Sequence, residues 1–337
     1  MKHNTSDTPT IKAIRTGYRF PVLGTLFAVL VVACVAAAVL LTGGRPKSPP
    51  LRIAINPWPG YEFATLAREL GYFEQEGVAV KLIELSSLDD SRRALERGQV
   101  DGMFSTLVEV ISYGQNGRRA EIALIADASD GADVILARSE FTSIADLRGK
   151  RIAVEAASLN EVVLMRALSQ AGLTWNDVQV VYMPALEMPR AFTEAQIDAA
   201  VCYPPMSVRI AEQGAREVFS TRDIPGIILD ALAFDDQAFR TRSRDIAAFR
   251  KAFFRAMEYS LANPDTTYPI MAARQGITAE QFREVLTSGI TLINEAKQKE
   301  YFGSGGKLQA SINQINKDLR AIAGAKKAAV TNVTGQD

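Results

Sequence analysis

Two rhythms alternate along most of this chain. Short apolar runs at 52–55, 78–85, 101–104, 121–126, 151–155, 178–183 and 199–203 read as strands. Between them, apolar residues fall at helical spacing, as in Phe63, Leu66, Ala67 and Leu70, a run that stops at Gly71. The same spacing predicts helices over 160–171 and 189–194, while Ser86-Ser87 suits a cap for the helix holding Leu88 and Leu95. Ser105-Thr106 is expected to start another. Strand, helix, strand, helix with short links predicts parallel sheets with helices on both faces.

One stretch, Arg52 to Glu62, organises the rest. Pro57 and Pro59 stop the strand after Ile55, and Gly60 permits a turn into the first helix. Asn56, Trp58 and Tyr61 therefore sit at the carboxyl end of a strand, where open α/β sheets bind ligands. The plain alternative is that the two aromatic rings close off the edge of the core. The chain also writes this unit twice. RIAIN at 52–56 is answered by RIAVE at 151–155, and RGQVDG at 97–102 by EAQIDA at 194–199. Arg52 thus corresponds to Arg151, Asn56 to Glu155, Asp101 to Asp198 and Thr106 to Tyr203. Two similar lobes, with their strand-end loops lining one cleft, are expected.

The segment 133–138 reads as a strand leaving the first lobe after a hinge turn at Ser129-Asp130-Gly131, and Gly226 to Phe234 as the return. This assigns 51–132 and 232–323 to lobe 1 and 133–231 to lobe 2. The remainder is helical, with one stripe at Phe249, Phe253, Ala256 and Met257 and another at Leu308, Ile312, Ile315, Leu319 and Ile322. Residues 324–337 are small and polar and read as a frayed tail.

Ahead of the lobes, residues 1–19 form a basic flank with Lys2, Lys12, Arg15 and Arg19, and 20–42 is an apolar segment. As a helix, the uncharged run Phe20 to Leu41 spans about 33 Å, enough for a bilayer core of about 30 Å. An uncleaved transmembrane helix is the favoured reading. A cleaved signal, or lipidation at Cys34 in the box Val31-Val32-Ala33-Cys34, are the alternatives. Each places the globular part periplasmic or extracellular, and the favoured anchor tethers it to the cell membrane through the proline-containing link 43–50.

Composition removes several functions. Lys+Arg and Asp+Glu are both 38, so the formal net charge is +0 and no electrostatic case exists for nucleic acid. The single histidine, His3, precedes the apolar segment, which excludes a Ser-His-Asp triad or a histidine metal site in the lobes. Cys202 has no globular partner for a disulfide and no imidazole to activate it. No catalytic residue, cofactor or metal is expected. The remaining enzymatic possibility pairs Glu155 with Asp130 or Glu187 for acid–base work, without support from spacing.

GYEFATLARELGYFEQEGVAVKLIEL (60–85), RRALERGQVDG (92–102), SIADLRGKRIAVEAAS (143–158) and AQIDAAVCYPP (195–205) together resemble the extracytoplasmic solute-binding proteins of nitrate/sulfonate/taurine-type ABC importers, a family that includes binders of thiamine-precursor pyrimidines. The resemblance covers roughly 51–290. It implies a two-lobed periplasmic-binding-protein fold (type II) with two hinge crossings and a small-molecule ligand. It also implies a partner permease with a cytoplasmic ATPase, and a monomer. Site positions implied on lobe 1 are Asn56, Trp58, Tyr61, Ser86 or Ser87, Ser105 and Thr106. On lobe 2 they are Glu155, Ser158, Asn160 and Tyr203. The chain departs from the sulfonate pattern where an anion would bind. There, small hydroxylated residues at a helix start suit an anion, whereas here Glu155 comes first, and further acids, Asp127, Asp130 and Glu187, lie on strand-end or hinge loops. Buried carboxylates call for a donor or a cation. The expected ligand is a neutral or cationic nitrogen compound held between Trp58, Tyr61 and Tyr203. A sulfonate- or nitrate-type anion is the alternative, as is a membrane-tethered sensor that reports ligand to a signalling partner.

Overall fold

A computed structural model describes residues 48–115, 117–303 and 305–334, with side chains through Lys326. The basic flank, the apolar segment and the start of the tether lie outside the described residues. Among the described residues no helix is long and apolar enough to cross a membrane.

The strands in chain order are β1 (Leu51–Ile55), β2 (Val80–Glu84), β3 (Gly102–Thr106), β4 (Ala120–Ser129), β5 (Val134–Ala137), β6 (Arg151–Val154), β7 (Gln179–Tyr182), β8 (Ala199–Cys202), β9 (Arg216–Ser220), β10 (Leu229–Asp235) and β11 (Ile290–Leu292). They form two sheets, ordered β11-β4-β10-β3-β1-β2 and β7-β6-β8-β5-β9. Each has a parallel core of three strands, β2-β1-β3 and β7-β6-β8. Antiparallel strands complete both sheets. The purely parallel sheets expected from strand–helix alternation are therefore corrected to mixed ones. β5 and β10 each follow a crossing between the sheets and enter against the direction of the parallel core.

The internal repeat is physical. Arg52 donates from its main-chain N–H and its guanidinium to Asp101, at 2.8, 3.3 and 2.6 Å. Arg151 repeats the pattern on Asp198 at 2.9, 3.1 and 2.7 Å. The carboxylates also repeat one another in the main chain, since Asp101 and Asp198 each donate an N–H to the carbonyl of their arginine at 2.8 Å. Each pair clamps the amino end of β1 or β6 to the strand beside it, leaving the carboxyl ends of both to face the gap between lobes.

The first sheet is packed by phenylalanines. Phe63, on helix Glu62–Glu69, meets Phe253 edge-on at 6.0 Å, and Phe73 stacks on Phe249 at 4.9 Å. Both partners lie on helix Ser243–Ala262, in the stripe that the apolar spacing predicts. The tail differs from expectation: helix Lys307–Thr334 runs through Gly324. Its helical continuation is favoured by an alanine-rich sequence and by side-chain anchors. Asp318 accepts from Arg166 at 2.8 Å, and Lys326 pairs with Glu161 at 2.5 Å. This helix packs against helices of both lobes, Leu107–Gln115 and Leu159–Gln170, so it belongs to neither alone.

Two segments join the sheets, and they are bonded to each other. The Ser129 and Thr221 hydroxyls lie 2.8 Å apart, Gly131 N–H donates to the Thr221 hydroxyl at 2.8 Å, and Thr221 N–H donates to the Asp133 carbonyl at 3.0 Å.

Candidate functional site

The turn after β1 places Trp58 and Tyr61 at the floor of the gap. Gly60 is required there by close approach, since a Cβ on it would come within 1.9 Å of Asp127 Oδ2 and 3.0 Å of Trp58 Nε1. Without that Cβ, Trp58 Nε1–H reaches both oxygens of Asp127, at 3.3 and 3.2 Å. Tyr61 donates its hydroxyl hydrogen to Asp230, which sits on β10 directly opposite Asp127 on β4. From the second lobe, Tyr203 meets Trp58 edge-on at 6.1 Å and donates to Glu155 Oε2 at 3.3 Å. Asn56, Thr106, Asp133 and the apolar side chains Leu88 and Leu159 complete the lining. The space enclosed is about 10 Å³, room for one water-sized sphere. The lobes are shut, and any solute of several atoms enters only when they part.

The electrostatics of the gap are one-sided. Asp127, Asp133, Asp230, Glu109 and Glu155 are all buried, and among the described residues no Arg or Lys lines the cavity. Burial raises every one of them, with smaller contributions from neighbouring acids at Asp127, Asp133, Asp230 and Glu155. Asp127 rises from 3.8 to about 7, Asp133 to about 7, and Glu155 from 4.5 to about 8. Asp230 is driven well above the usual carboxylate range by burial and then by Asp127 beside it. Both oxygens of Asp133, Oδ2 of Asp230, Oε1 of Glu155 and Oδ1 of Asn56 have no partner at full hydrogen-bond geometry, although the Ser129 hydroxyl lies beside Asp133, the Ser87 hydroxyl beside Glu155 and Asp127 beside Asp230. Buried acceptors in that state cost free energy until a donor arrives.

The expected site residues divide into three groups. Asn56, Trp58, Tyr61, Thr106 and Tyr203 are brought together around the cavity, and Glu155 is buried next to it, bonded to Tyr203. Ser87, Ser105, Ser158 and Asn160 are buried beside it, and their polar atoms serve the chain's own loops and caps, except that the Ser87 hydroxyl also lies against Glu155 across the gap. Ser87 caps helix Leu88–Glu96 by accepting from Asp90 N–H at 3.0 Å. Ser105 donates to Glu109 at 3.2 Å. Ser158 donates to the Glu155 carbonyl at 2.8 Å, and the Asn160 side-chain amide donates to the Val201 carbonyl. Together Ser158 and Asn160 fix the loop that carries Glu155, in which Ala157 adopts a left-handed φ of 52°.

Ser86, Asp130 and Glu187 are corrections: all three are exposed. Ser86 bonds the Asp90 side chain at 3.1 Å instead of facing the gap. Asp130 turns outward at the crossing, where its N–H donates to the Gly289 carbonyl at 2.8 Å. Glu187 ends a short 3-10 turn, Ala185–Glu187, on the outer surface. The pairing of Glu155 with Asp130 or Glu187 therefore does not exist. The acids that do reach the site and escaped sequence reasoning are Glu109, Asp133 and Asp230. Their signal was a lone carboxylate inside or bordering an apolar run, as in GIILDALAF around Asp230.

A larger open groove of about 470 Å³ lies beside the crossings, lined in part by Ala132, Leu136, Val208, Arg222 and Val285. None of its lining residues carries a buried unpartnered polar atom. It lacks the polar demand of the interlobe gap.

Two α/β lobes joined by paired crossings, closed over aromatic rings and polar groups, define the periplasmic-binding-protein class of fold. Residues 58–267 match the NMT1/THI5-like family, and the chain belongs to it. A Brucella abortus protein provisionally named as a binding protein is 27% identical over 235 residues, covering 69% of this chain and 67% of that one. A 4-amino-5-hydroxymethyl-2-methylpyrimidine phosphate synthase from Aspergillus parasiticus is 23% identical over 219 residues, 60% of this chain and 64% of its own. Among solved structures, the alkanesulfonate-binding protein of Xanthomonas axonopodis bound to MOPS superposes with a TM-score of 0.66 at 18% identity, covering 74% of this chain and 87% of that one.

Proposed function

We propose that this protein binds a small nitrogen-containing solute, cationic in preference to neutral, in the interlobe gap and presents it to an ABC importer permease with a cytoplasmic ATPase. The globular part works outside the cytoplasm, held to the membrane by its N-terminal segment. The observation that carries the ligand class is the set of unpartnered buried carboxylate oxygens on Asp133, Asp230 and Glu155 with no basic side chain lining the cavity. An ammonium or amidinium group supplies the missing donors and the missing charge together. Trp58, Tyr61 and Tyr203 supply ring faces and edges for a flat or cationic guest, each such contact contributing on the order of 0.5–2 kcal/mol.

Binding without chemical change fits the side chains better than catalysis. Cys202 is buried and its thiol is pushed far up by burial, so it is not a nucleophile at neutral pH. The anion reading is favoured by the alkanesulfonate-binding neighbour, but an anion in this gap would face Asp133 and Asp230 in the lining, with three more acids buried around them. Thermal-shift screening of the purified chain against alkylamines, amidines, aminopyrimidines, alkanesulfonates and nitrate tests the assignment. Stabilisation by a member of the first three groups supports it. Stabilisation by sulfonate or nitrate alone sinks it.

A further inference from the structure

Unlike Asp133, Asp230 and Glu155, Glu109 has both of its oxygens occupied, one of them by a donor from the opposite lobe. It lies in the first turn of helix Leu107–Gln115 and is fully buried. One oxygen, Oε2, accepts from the Ser105 hydroxyl at 3.2 Å, the Thr106 N–H at 3.1 Å and the Thr106 hydroxyl at 2.5 Å. The other, Oε1, accepts the N–H of Leu159 at 2.9 Å. Leu159 is the first residue of helix Leu159–Gln170 in the opposite lobe. Capping its own helix would require only the local contacts, so the bond to a residue fifty positions away calls for another explanation.

The start of helix Leu159–Gln170 has the form of an anion cradle, with main-chain N–H groups converging at the positive end of the helix dipole. Here the chain fills that cradle itself. Ala157 N–H donates to Glu161 Oε1 at 3.3 Å, Leu159 N–H to Glu109, Asn160 N–H to the Ser158 hydroxyl at 3.2 Å, and Glu161 N–H to the Ser158 carbonyl at 3.2 Å. Three of these acceptors are local. Glu109 alone comes from across the gap, and it brings a carboxyl group held by three further donors.

We infer that Glu109 is a specificity-determining residue, a built-in anion that fills the amide cradle of the second lobe, shuts out anionic solutes and ties the lobes together when closed. This deepens the cation-binding reading and rests on it for the identity of the site. An anionic solute would have to displace a carboxylate that is already satisfied by four donors. A cationic one leaves that bond in place and closes the lobes over it.

The test uses Glu109→Ala and Leu159→Pro at pH 6, where Asp127, Asp133 and Glu155 are largely protonated. Proline at the first helical position removes the Leu159 N–H and is compatible with the helix start. Glu109→Ala is expected to gain a larger rise in melting temperature with sodium sulfate, over sodium chloride of equal ionic strength, than wild type gains from the general effect of sulfate. Adding Leu159→Pro should abolish the gain. Leu159→Pro alone, with an unchanged circular dichroism spectrum, should show a larger radius of gyration by X-ray scattering without ligand. A folded Glu109→Ala that responds to sulfate no more than wild type overturns the inference. If that variant does not fold, an unchanged radius of gyration for Leu159→Pro overturns it. Wild type that takes amines while Glu109→Ala gains no extra response to sulfate removes this inference alone, whereas wild type stabilised by ethanesulfonate removes the cation-binding reading beneath it.

Discussion

Cation binding at this gap must move protons, and the amount follows from the site. At pH 7 a carboxyl raised to about 8, as Glu155 is, holds its proton about nine times in ten, while Asp127 and Asp133 at about 7 are half protonated. A monovalent cation that draws Glu155 into its charged form therefore releases about one proton per solute bound at pH 7, and its affinity rises about tenfold per pH unit up to about 8. Isothermal titration calorimetry with the best amine or amidine of the screen, repeated in Tris and in phosphate, measures the release directly. Released protons are taken up by the buffer, so binding should be more exothermic in Tris. Glu155→Gln should remove most of that difference and weaken the cation by about 10- to 100-fold, equivalent to about 1.4–2.8 kcal/mol. A neutral aminopyrimidine should lose much less. Equal enthalpies in the two buffers, proton uptake in place of release, or equal losses for charged and neutral ligands would each refute the charge argument.

The same groups set the stability of the unliganded protein. Their folded values lie above the ordinary carboxylate values of 3.8 and 4.5, so the folded chain holds protons that the unfolded chain has lost, and stability should fall as pH rises from 5 through 8. Thermal melts across that window check this, and a rising melting temperature would contradict it. Asp101→Asn and Asp198→Asn, which break two geometrically matched and partly exposed clamps, should each cost roughly 1–2 kcal/mol in urea denaturation, and by similar amounts. A large inequality would show the repeat to be superficial. Trp58→Phe should keep the fold and abolish ligand-induced quenching, leaving only the emission of Trp175. Persistent quenching would place the solute elsewhere.

Much of the scaffold is legible in the sequence because it depends on local pattern. The repeated RIA start and its partnered aspartate specify β1, β3, β6 and β8, and Gly131 with the apolar return segment marks the crossings. β9 and β11 carry little such signal. The first reads REVFS and alternates weakly at a sheet edge, and the second is only three residues long. The site was half legible. Aromatic residues at a strand end point to the gap from their own sequence, whereas Asp133, Asp230 and Glu109 come from three separate segments and acquire meaning only when the crossings bring those segments together. Ser105, Ser158 and Asn160 were legible as polar residues at strand ends, but sequence does not distinguish a donor offered to a ligand from one committed to its own loop.

Closure and selectivity are coupled by the placement of the acids. Asp127 and Asp230 belong to the first sheet, Asp133 lies at the crossing, and Glu155 follows β6 of the second. Bringing these charges together costs free energy, and a solute shifts the balance toward closure only by binding the closed form more strongly than the open one. A cation bonded to carboxylates of both lobes does so, because that set of contacts exists only when the gap is shut. A neutral ring gains the aromatic contacts but leaves the repulsion in place, and an anion adds to it. At pH 8.5 X-ray scattering should therefore rank compaction as cation above neutral solute, with sulfonates giving none. At pH 6 the unliganded protein should already be compact, because protons neutralise the same carboxylates, and the ranking should narrow. A radius of gyration independent of pH without ligand would mean that the acids do not govern closure, and the coupling argued from their burial would fail with it.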